Sequence, residues 1–175
     1  MSTRSLVMVV VNKQVKIAQY GDSDGYPSVE GVRVLEFLNL IKKQKAKVLN
    51  KIKRIAFLND QEFDQIQKNQ SQTSYPELQL NGGEILHYLL DHDVKKLADS
   101  SEFAKDNMFC EWCYVIDFDT KTYEIYRGFN QEPLTEADRF YDARFEGCGF
   151  YPAKMVKSFE LKNLPGEDEF LDSLQ

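Results

Sequence analysis

The chain has 175 residues, of which 42% are hydrophobic and 13% aromatic, and its formal net charge at pH 7 is −6. This length and apolar content suffice for one buried core, so we expect residues 1–175 to form a single domain. No apolar run approaches the roughly 18 residues of a membrane-spanning helix. The N-terminus also lacks the charged-then-apolar layout of a secretory signal, so we expect a cytoplasmic protein with no membrane partner.

The first predicted element is a β-hairpin. The run "LVMVVV" (residues 6–11) is apolar at every position, which predicts a central strand covered on both faces. The next run, "VKIAQY" (15–20), alternates and predicts a neighbouring strand with one face partly in water. Asn12 and Lys13 suit the turn between the two strands.

A corner follows the hairpin at "DSDGYPS" (22–28). Asp24 and Gly25 form the turn signal, and Pro27 restricts Tyr26 to an extended conformation. Ser28 is available as the N-cap of the next helix.

Residues 29 to about 57 show a helical period, as one long helix or two aligned ones. Most of the lysines lie on one side, and the other side carries an apolar arc: Val34, Phe37, Leu38, Ile41, Val48, Leu49, Ile52 and Ile55. Asn59 and Asp60 are predicted caps of a further helix, "DQEFDQIQKN". A polar loop, "QSQTSYPELQLNGG", then leads to a short helix, "EILHYLLDH".

The second half predicts more strands. "CEWCYVIDF" and "TYEIYRGF" form another hairpin with a turn at residues 119–121, and Trp112, Tyr114 and Ile116 share one face. "AKMVKSFEL" is a fifth strand, and "EDEFLDSL" is a terminal helix. We therefore expect an α+β fold in which an antiparallel or mixed sheet of about five strands begins with the N-terminal hairpin and is covered by helices, in the order β-β-α-α-α-β-β-β-α.

The cysteines and histidines do not predict a metal site. Cys110, Cys113 and Cys148 are expected to be reduced thiols. "CEWC" has the spacing of a zinc or redox motif, but alternation along a strand would place its two cysteines on opposite faces. His87 and His92 lie on or just after a helix, and we expect neither a metal nor a cofactor.

The charge is divided unevenly along the chain. Residues 1–54 hold eleven Lys or Arg against four acidic residues, a net charge of +7, which leaves −13 for the other 121 residues. Such asymmetry indicates a polyanionic partner for the basic part. The acidic remainder would repel nucleic acid and orient the molecule on it.

The hairpin ends form a candidate catalytic site of Arg4, Asp22, Asp24 and Tyr26. The start of the first strand and the end of the second meet in a hairpin, so the arginine and the carboxylates could share one rim of the sheet. One interpretation is a structural salt bridge. The other is RNA cleavage through the 2′-hydroxyl, with a carboxylate as general base, the arginine stabilising the phosphorane and Tyr26 stacking on a base or donating a proton.

The candidate RNA-binding residues lie mainly on the basic helix. Seven of the thirteen positions from 42 to 54 are Lys or Arg, a density suited to backbone phosphates, although a solvated helix face would look the same. With the hairpin lysines, the predicted RNA-binding set is Lys13, Lys16, Lys42, Lys43, Lys47, Lys51, Lys53 and Arg54.

Ser2 is a candidate nucleophile for a different class of enzyme. Removal of Met1 would make Ser2 an N-terminal residue directly before a buried strand, which resembles the arrangement in N-terminal nucleophile hydrolases. In those amide hydrolases the terminal amine activates the hydroxyl.

Three segments carry a family resemblance. The opening "TRS", the corner "DGYP" and the later "EWCYVID" resemble a widespread set of small phage and prophage proteins, over most of the chain. Those proteins often have an aromatic residue just before "DGYP", where this chain has Ser23. That departure puts an aromatic stacking role at this position in doubt.

The hairpin start and the low-GC character of the composition also resemble streptococcal-type anti-CRISPR proteins, which disable the RNA-guided nuclease of type II systems through its guide RNA. The resemblance implies a counter-defence inhibitor in the cytoplasm of the bacterial host, with the nuclease and its guide RNA as partners. It leaves open whether the RNA is bound or cleaved. A non-catalytic protein whose acidic face occludes a nucleic-acid site is the alternative.

Overall fold

A computed structural model describes residues 2–68, 75–145 and 149–175. The strands are β1 Ser5–Val11, β2 Gln14–Gly21, β3 Ala56–Phe57, β4 Lys96–Leu97, β5 Trp112–Asp117, β6 Thr122–Arg127 and β7 Lys154–Glu160. The α-helices are α1 Val32–Leu40, α2 Lys45–Lys53, α3 Asp60–Lys68, α4 Glu84–Asp91 and α5 Glu167–Asp172. Two residues named in the sequence predictions lie outside the described residues. They are Cys148, predicted to be a reduced thiol, and Asn69, the predicted last residue of the helix "DQEFDQIQKN".

The main sheet confirms the predicted α+β fold. Its strand order is β2-β1-β5-β6-β7; β1 and β5 are parallel, and the other neighbours are antiparallel. Every residue of β1 is buried, as predicted for a central strand. The short strands β3 and β4 pair with each other in a separate two-stranded sheet.

The helical layer covers one face of the sheet. The predicted apolar arc packs there, with Phe37 and Ile52 fully buried against Val7 and Val9 of β1. One long helix is not formed, because a 3₁₀ turn at Ile41–Lys43 and a non-helical Gln44 (φ −133°) separate α1 from α2. The chain therefore has four α-helices, rather than the three predicted, among the described residues between β2 and β5.

The opposite face is covered by the 3₁₀ turn Ser101–Lys105 and by the connection between β6 and β7, which supply Ala104 and Phe140. Cys110 and Cys113 both pack in this layer, so the expectation that they lie on opposite faces is wrong. The reason is that β5 begins only at Trp112, and strand alternation does not extend to Cys110.

The two hairpin turns lie at one end of the sheet. Asn12 and Lys13 adopt positive φ angles of 54° and 60°, as a tight two-residue turn requires. Their N–H groups donate to the Asp119 carboxylate at 2.9 and 2.6 Å, which joins the β1–β2 turn to the β5–β6 turn. The corner at residues 22–28 is at the opposite end, about 20 Å away along β1.

The corner leads into helix α1 through a π-helical turn, Pro27–Gly31. Tyr26 is extended (φ −64°, ψ 154°), as predicted, and it precedes the turn without a side-chain cap. Ser28 lies inside the turn, so its predicted role as an N-cap is wrong. Asn59 caps α3 as predicted, through reciprocal hydrogen bonds of 2.8 and 2.9 Å with Glu62. Asp60, the other predicted cap, is instead the first residue of the helix.

The described residues contain neither a helix that could span a membrane nor a cluster of metal-binding side chains. Each helix there is too short or too polar to span a lipid bilayer. Those residues also contain no group of three or more His, Cys, Asp or Glu side chains placed to hold a metal ion.

Candidate nucleic-acid interface

The hairpin corner brings together three separate segments of the chain: "TRS", "DGYP" and "EWCYVID". The Gly25 N–H of "DGYP" donates to the Thr3 carbonyl of "TRS" at 3.0 Å. The hydroxyl of Tyr114, in "EWCYVID", donates to the Gly25 carbonyl at 2.8 Å, and the Glu111 N–H donates to the Arg4 carbonyl at 3.3 Å. The three segments therefore meet as a structural joint between the hairpin and β5.

Gly25 is needed because the joint is closely packed. A Cβ atom at this position would lie 2.8 Å from the Thr3 carbonyl oxygen and 2.8 Å from the Ser5 Cβ. The first contact involves backbone, which cannot move aside without opening the hairpin.

We expect Gly25→Ala to lower the free energy of unfolding by about 2 kcal/mol or more through this overpacking. Gly166→Ala is the matched control, because a Cβ there meets nothing within 4 Å. Urea denaturation of the two variants measures the difference. Equal midpoints would show that the corner can relax around a side chain.

Asp22 is held by the segment before α4. Its N–H donates to the Asn81 Oδ1 at 2.8 Å, and the Asn81 Nδ2 donates to the Ser23 Oγ at 3.2 Å. The Ser23 hydroxyl donates in turn to the Asp22 carboxylate at 2.9 Å. The Ser2 hydroxyl donates to the Asp22 carbonyl, so the structure gives this candidate nucleophile a backbone partner.

A buried carboxylate, Glu30, ties the same corner to α4. It is 2% exposed, lies 2.5 Å from the Arg33 Nη1 and accepts a hydrogen bond from the Gly83 N–H. Burial raises the pKa of Glu30 above its ordinary value, although Arg33 and the Gly83 N–H act in the opposite direction. Glu30 therefore contributes to the joint rather than to an open site.

Arg4 lies at the same end of the sheet as Asp22 and Asp24 but is not paired with them. Its guanidinium carbon is 4.9 Å from the centroid of the Phe109 ring, a cation–π contact. Among the described ion pairs, none joins Arg4 to either aspartate. Asp22 and Asp24 are exposed, and Tyr26 is 49% exposed. The catalytic role of these four residues stays a prediction.

The second predicted site is a basic surface at the 3₁₀ turn and α2. We define the α2 basic surface as five residues: Lys42, Lys43, Lys45, Lys47 and Lys53. Lys45 is half-buried, and the other four are exposed. In the part of the chain that the structure describes, none of these ammonium groups has a carboxylate oxygen within 4.0 Å. Their positive charge is therefore left for a partner.

Helix α2 adds to this positive potential. Its first turn begins at Lys45 and contains neither an acidic residue nor a side-chain cap. The N-terminus of a helix carries a partial positive charge, which lysines do not compensate. Acidic residues in this first turn would stabilise the helix, whereas the turn carries lysines instead.

Two of the predicted RNA-binding residues have structural partners instead. The Lys51 ammonium donates to the carbonyls of Leu89, Leu90 and His92, at 3.0, 3.1 and 3.3 Å, and so caps the C-terminus of α4. Lys51 is 15% exposed. Arg54 is 3.8 Å from Asp93 and donates to the Asn50 carbonyl at 3.2 Å.

The two predicted sites lie apart. Lys45 lies over the ring of Phe118, 5.6 Å from its centroid, and the Phe118 N–H donates to Val10 near the end of β1. Lys13 is at this same end, in the β1–β2 turn, and Lys16 is half-buried on β2. Arg4 precedes the other end of β1. RNA on the α2 basic surface would therefore have to run the length of the sheet to reach Arg4.

The remaining candidates have unreactive environments. Burial raises the pKa of the Cys110 thiol to about 12, and it also raises the pKa of Cys113. Both thiols are free and stay protonated at neutral pH. The His87 Nε2 lies 3.1 Å from the Arg33 carbonyl, and His92 stacks on Tyr88.

Three basic residues of the interface were missed by the sequence analysis. Lys45 lies over the Phe118 ring, whereas Lys121 and Lys162 lie in the acidic remainder of the chain and line a cleft together with Lys45. The net charge of −13 over residues 55–175 gives no indication of Lys121 and Lys162. The turn at 119–121 and the end of β7 were predicted, but their proximity to α2 depends on the strand order.

Comparisons with known proteins give no relative. No protein-family model matches the chain, and neither a curated protein nor a solved structure matches it. The resemblance to phage and anti-CRISPR proteins, the acidic-occlusion alternative and the hydrolase alternative all stay predictions.

Proposed function

We propose that this protein binds RNA through the α2 basic surface and thereby inhibits an RNA-guided defence nuclease in the cytoplasm of its bacterial host. The observation that carries the proposal is the group of lysines without carboxylate partners at the 3₁₀ turn and α2. In a protein of net charge −6, a concentrated and unpaired positive surface favours a polyanionic ligand.

The surface suits the phosphate backbone rather than particular bases. Lysine is a flexible point charge, whereas base recognition relies on planar side chains and stacked aromatic rings. Helix α2 is about 13 Å long, so its lysines can follow several phosphates of one strand. Binding should therefore depend little on sequence and strongly on salt.

The placement of Arg4 favours binding over cleavage. A general base and a phosphorane-stabilising cation have to reach the same phosphate. Arg4 instead contacts Phe109, and the hairpin corner lies at the far end of the sheet from Lys45. In this proposal the protein holds the guide RNA and keeps it from its working position in the nuclease.

The acidic part of the chain limits where the RNA can lie. Helix α3 begins with Asp60 and Glu62, and α5 has acidic residues in its first turn: Glu167, Asp168 and Glu169. These helices repel phosphates, so the RNA is oriented toward the α2 basic surface.

The test combines binding with inhibition. Fluorescence anisotropy should show association with a labelled guide RNA that weakens with salt, with a slope of log K against log[salt] of about −3.5 for five contacts to single-stranded RNA. A type II nuclease assay should show lost target cleavage, and a denaturing gel should show intact guide RNA.

Three other outcomes would contradict the proposal. Shortened guide RNA would overturn simple binding and support the catalytic reading of Arg4, Asp22, Asp24 and Tyr26. Inhibition with no affinity for RNA would favour occlusion by the acidic face. Absence of both RNA binding and inhibition would end the proposal.

A further inference from the structure

A cleft of about 360 Å³ lies between the start of α2, the β5–β6 turn and the segment after β7. Its lining combines four lysines with three other residues: Lys42, Lys45, Lys121, Lys162, Thr120, Glu160 and Leu161. We call it the lysine cleft. Its volume is at the lower end of the range for sites that enclose small molecules, about 300–1,000 Å³.

The charge of the lysine cleft is not neutralised. Glu160 is the single acidic residue of the lining, and it lies 3.2 Å from Lys162. Lys42 and Lys121 have no carboxylate partner among the described residues. The four lysines and one glutamate give the lining a net charge of +3.

A second cleft shows that this is not a general property of the surface. It has nearly the same volume, about 350 Å³, and four cations in its lining. There, Lys51 and Arg54 are paired with Asp93, and Lys96 is 3.0 Å from Glu62. In the lysine cleft, by contrast, only Lys162 has a carboxylate partner among the described residues, Glu160.

The frame of the lysine cleft is fixed by backbone contacts. The Leu161 N–H donates to the Lys121 carbonyl at 2.9 Å, and Thr122 pairs with Glu160 at the end of the β6–β7 ladder. These contacts hold Lys121 and Lys162 beside each other. The Lys45 ammonium lies over the Phe118 ring, 5.6 Å from its centroid, beside the turn that carries Thr120 and Lys121.

We propose that the lysine cleft binds a compact polyphosphate group, two or three linked phosphates, as carried by a nucleoside triphosphate or by the 5′ end of an RNA transcript. A backbone phosphodiester carries one negative charge, and the nucleic-acid chain continues away from it in both directions. A terminal polyphosphate concentrates several charges within a few ångströms, which matches a concave site of net charge +3. This inference extends beyond the proposed backbone binding. Lys42 and Lys45 belong to both sites, but Lys121 and Lys162 belong to the lysine cleft and not to the α2 basic surface.

Inorganic tripolyphosphate is the first probe, measured by isothermal titration calorimetry. The test variant is Lys121→Asn with Lys162→Gln, which removes two cleft charges. Asparagine tolerates the positive φ of 59° at position 121, so the turn should be kept. We expect affinity to fall roughly tenfold.

The matched control is Lys13→Asn with Lys68→Gln. Lys13 also has a positive φ, 60°, and lies at the same end of the sheet, but it does not line the cleft. The control removes the same total charge, with one of its two lysines at a positive-φ turn position, and should leave tripolyphosphate affinity unchanged. Thermal melts of both variants check that each remains folded.

Two further arms identify the source of the polyphosphate. Tighter binding of RNA with a 5′-triphosphate than of the same RNA with a 5′-hydroxyl indicates an RNA end, and GTP or ATP binding at least as tight as tripolyphosphate indicates a nucleotide. No heat of tripolyphosphate binding, or an equal loss in test and control variants, would overturn the inference. Binding of 5′-hydroxyl RNA is scored separately and tests the proposed function alone.

Discussion

Replacing Arg139 with alanine should lower the free energy of unfolding by about 3 kcal/mol, because it leaves two nearly buried carboxylates facing each other without a cation. The Arg139 Nη2 donates to the Asp117 carboxylate at 2.7 Å, and the Nε donates to the Glu124 carboxylate at 2.9 Å. The side chains of Asp117 and Glu124 are 7% and 10% exposed.

The same network anchors the connection between β6 and β7 to the sheet. The Tyr126 hydroxyl donates to the Glu124 carboxylate at 2.6 Å and accepts a hydrogen bond from the Arg139 Nε at 3.2 Å. Phe140, next to Arg139, packs edge-on against the Tyr126 ring with centroids 4.7 Å apart. Loss of Arg139 should therefore loosen this connection and expose the layer that contains Phe140.

Thermal and urea denaturation measure the effect, and Arg144→Ala is the matched control. Arg144 is 90% exposed, and its ion pair among the described residues is with Asp142 at 3.4 Å, so its loss should change stability little. Arg139→Lys keeps the charge but loses the paired guanidinium hydrogen bonds. Its stability should therefore lie between those of Arg139→Ala and Arg144→Ala. Similar stability of Arg139→Ala and Arg144→Ala would show that the network contributes nothing net.

The effect of Arg139→Ala should depend on pH. Burial raises the pKa of Asp117, but hydrogen bonds from Arg139 and from the N–H groups of Thr120 and Asp119 outweigh it, so the pKa lies below its ordinary value. A lowered pKa in the folded state stabilises the fold above the pKa of the unfolded chain, and this contribution is lost as the pH falls through the lowered value. The stability difference between the unmodified protein and Arg139→Ala should therefore shrink below about pH 4.

Patterns within one segment predicted most of the fold. The continuous apolar run of β1 indicated a strand covered on both faces, and the eight-residue apolar arc indicated which sides of α1 and α2 are buried. Each prediction needed only the strand or helix period and the surroundings of one element. The apolar arc continues through Gln44, so the sequence left open whether this segment forms one helix or two.

Contacts between distant segments could not be predicted. Arg139 lies in a polar connection with no periodic pattern, and its partners are at positions 117 and 124 on two strands. Lys51 is one of seven similar cations in residues 42–54, and only the position of the α4 C-terminus distinguishes it. The basic surface was therefore visible in the sequence, but the division between structural and free lysines was not.

The triple variant Lys43→Glu, Lys47→Glu, Lys53→Glu should lose RNA binding by about 100-fold at 0.1 M salt. Each phosphate contact to single-stranded RNA releases about 0.7 counterion, which corresponds to about 0.7 decades of affinity at that salt concentration. The three lysines are exposed, so the buried residues of α2, Val48 and Ile52, keep their packing. None of the three lines the lysine cleft.

The salt dependence provides the decisive measurement. The slope of log K against log[salt] should decrease in magnitude by about 2 in the triple variant. A control triple, Lys68→Glu, Arg127→Glu, Arg144→Glu, changes the net charge equally at exposed positions outside α2. If the control loses as much affinity as the α2 variant, the net charge of the protein governs binding. A selective loss in the α2 variant, together with lost nuclease inhibition, would place the RNA on the α2 basic surface, because the lysines changed there have no carboxylate partner among the described residues.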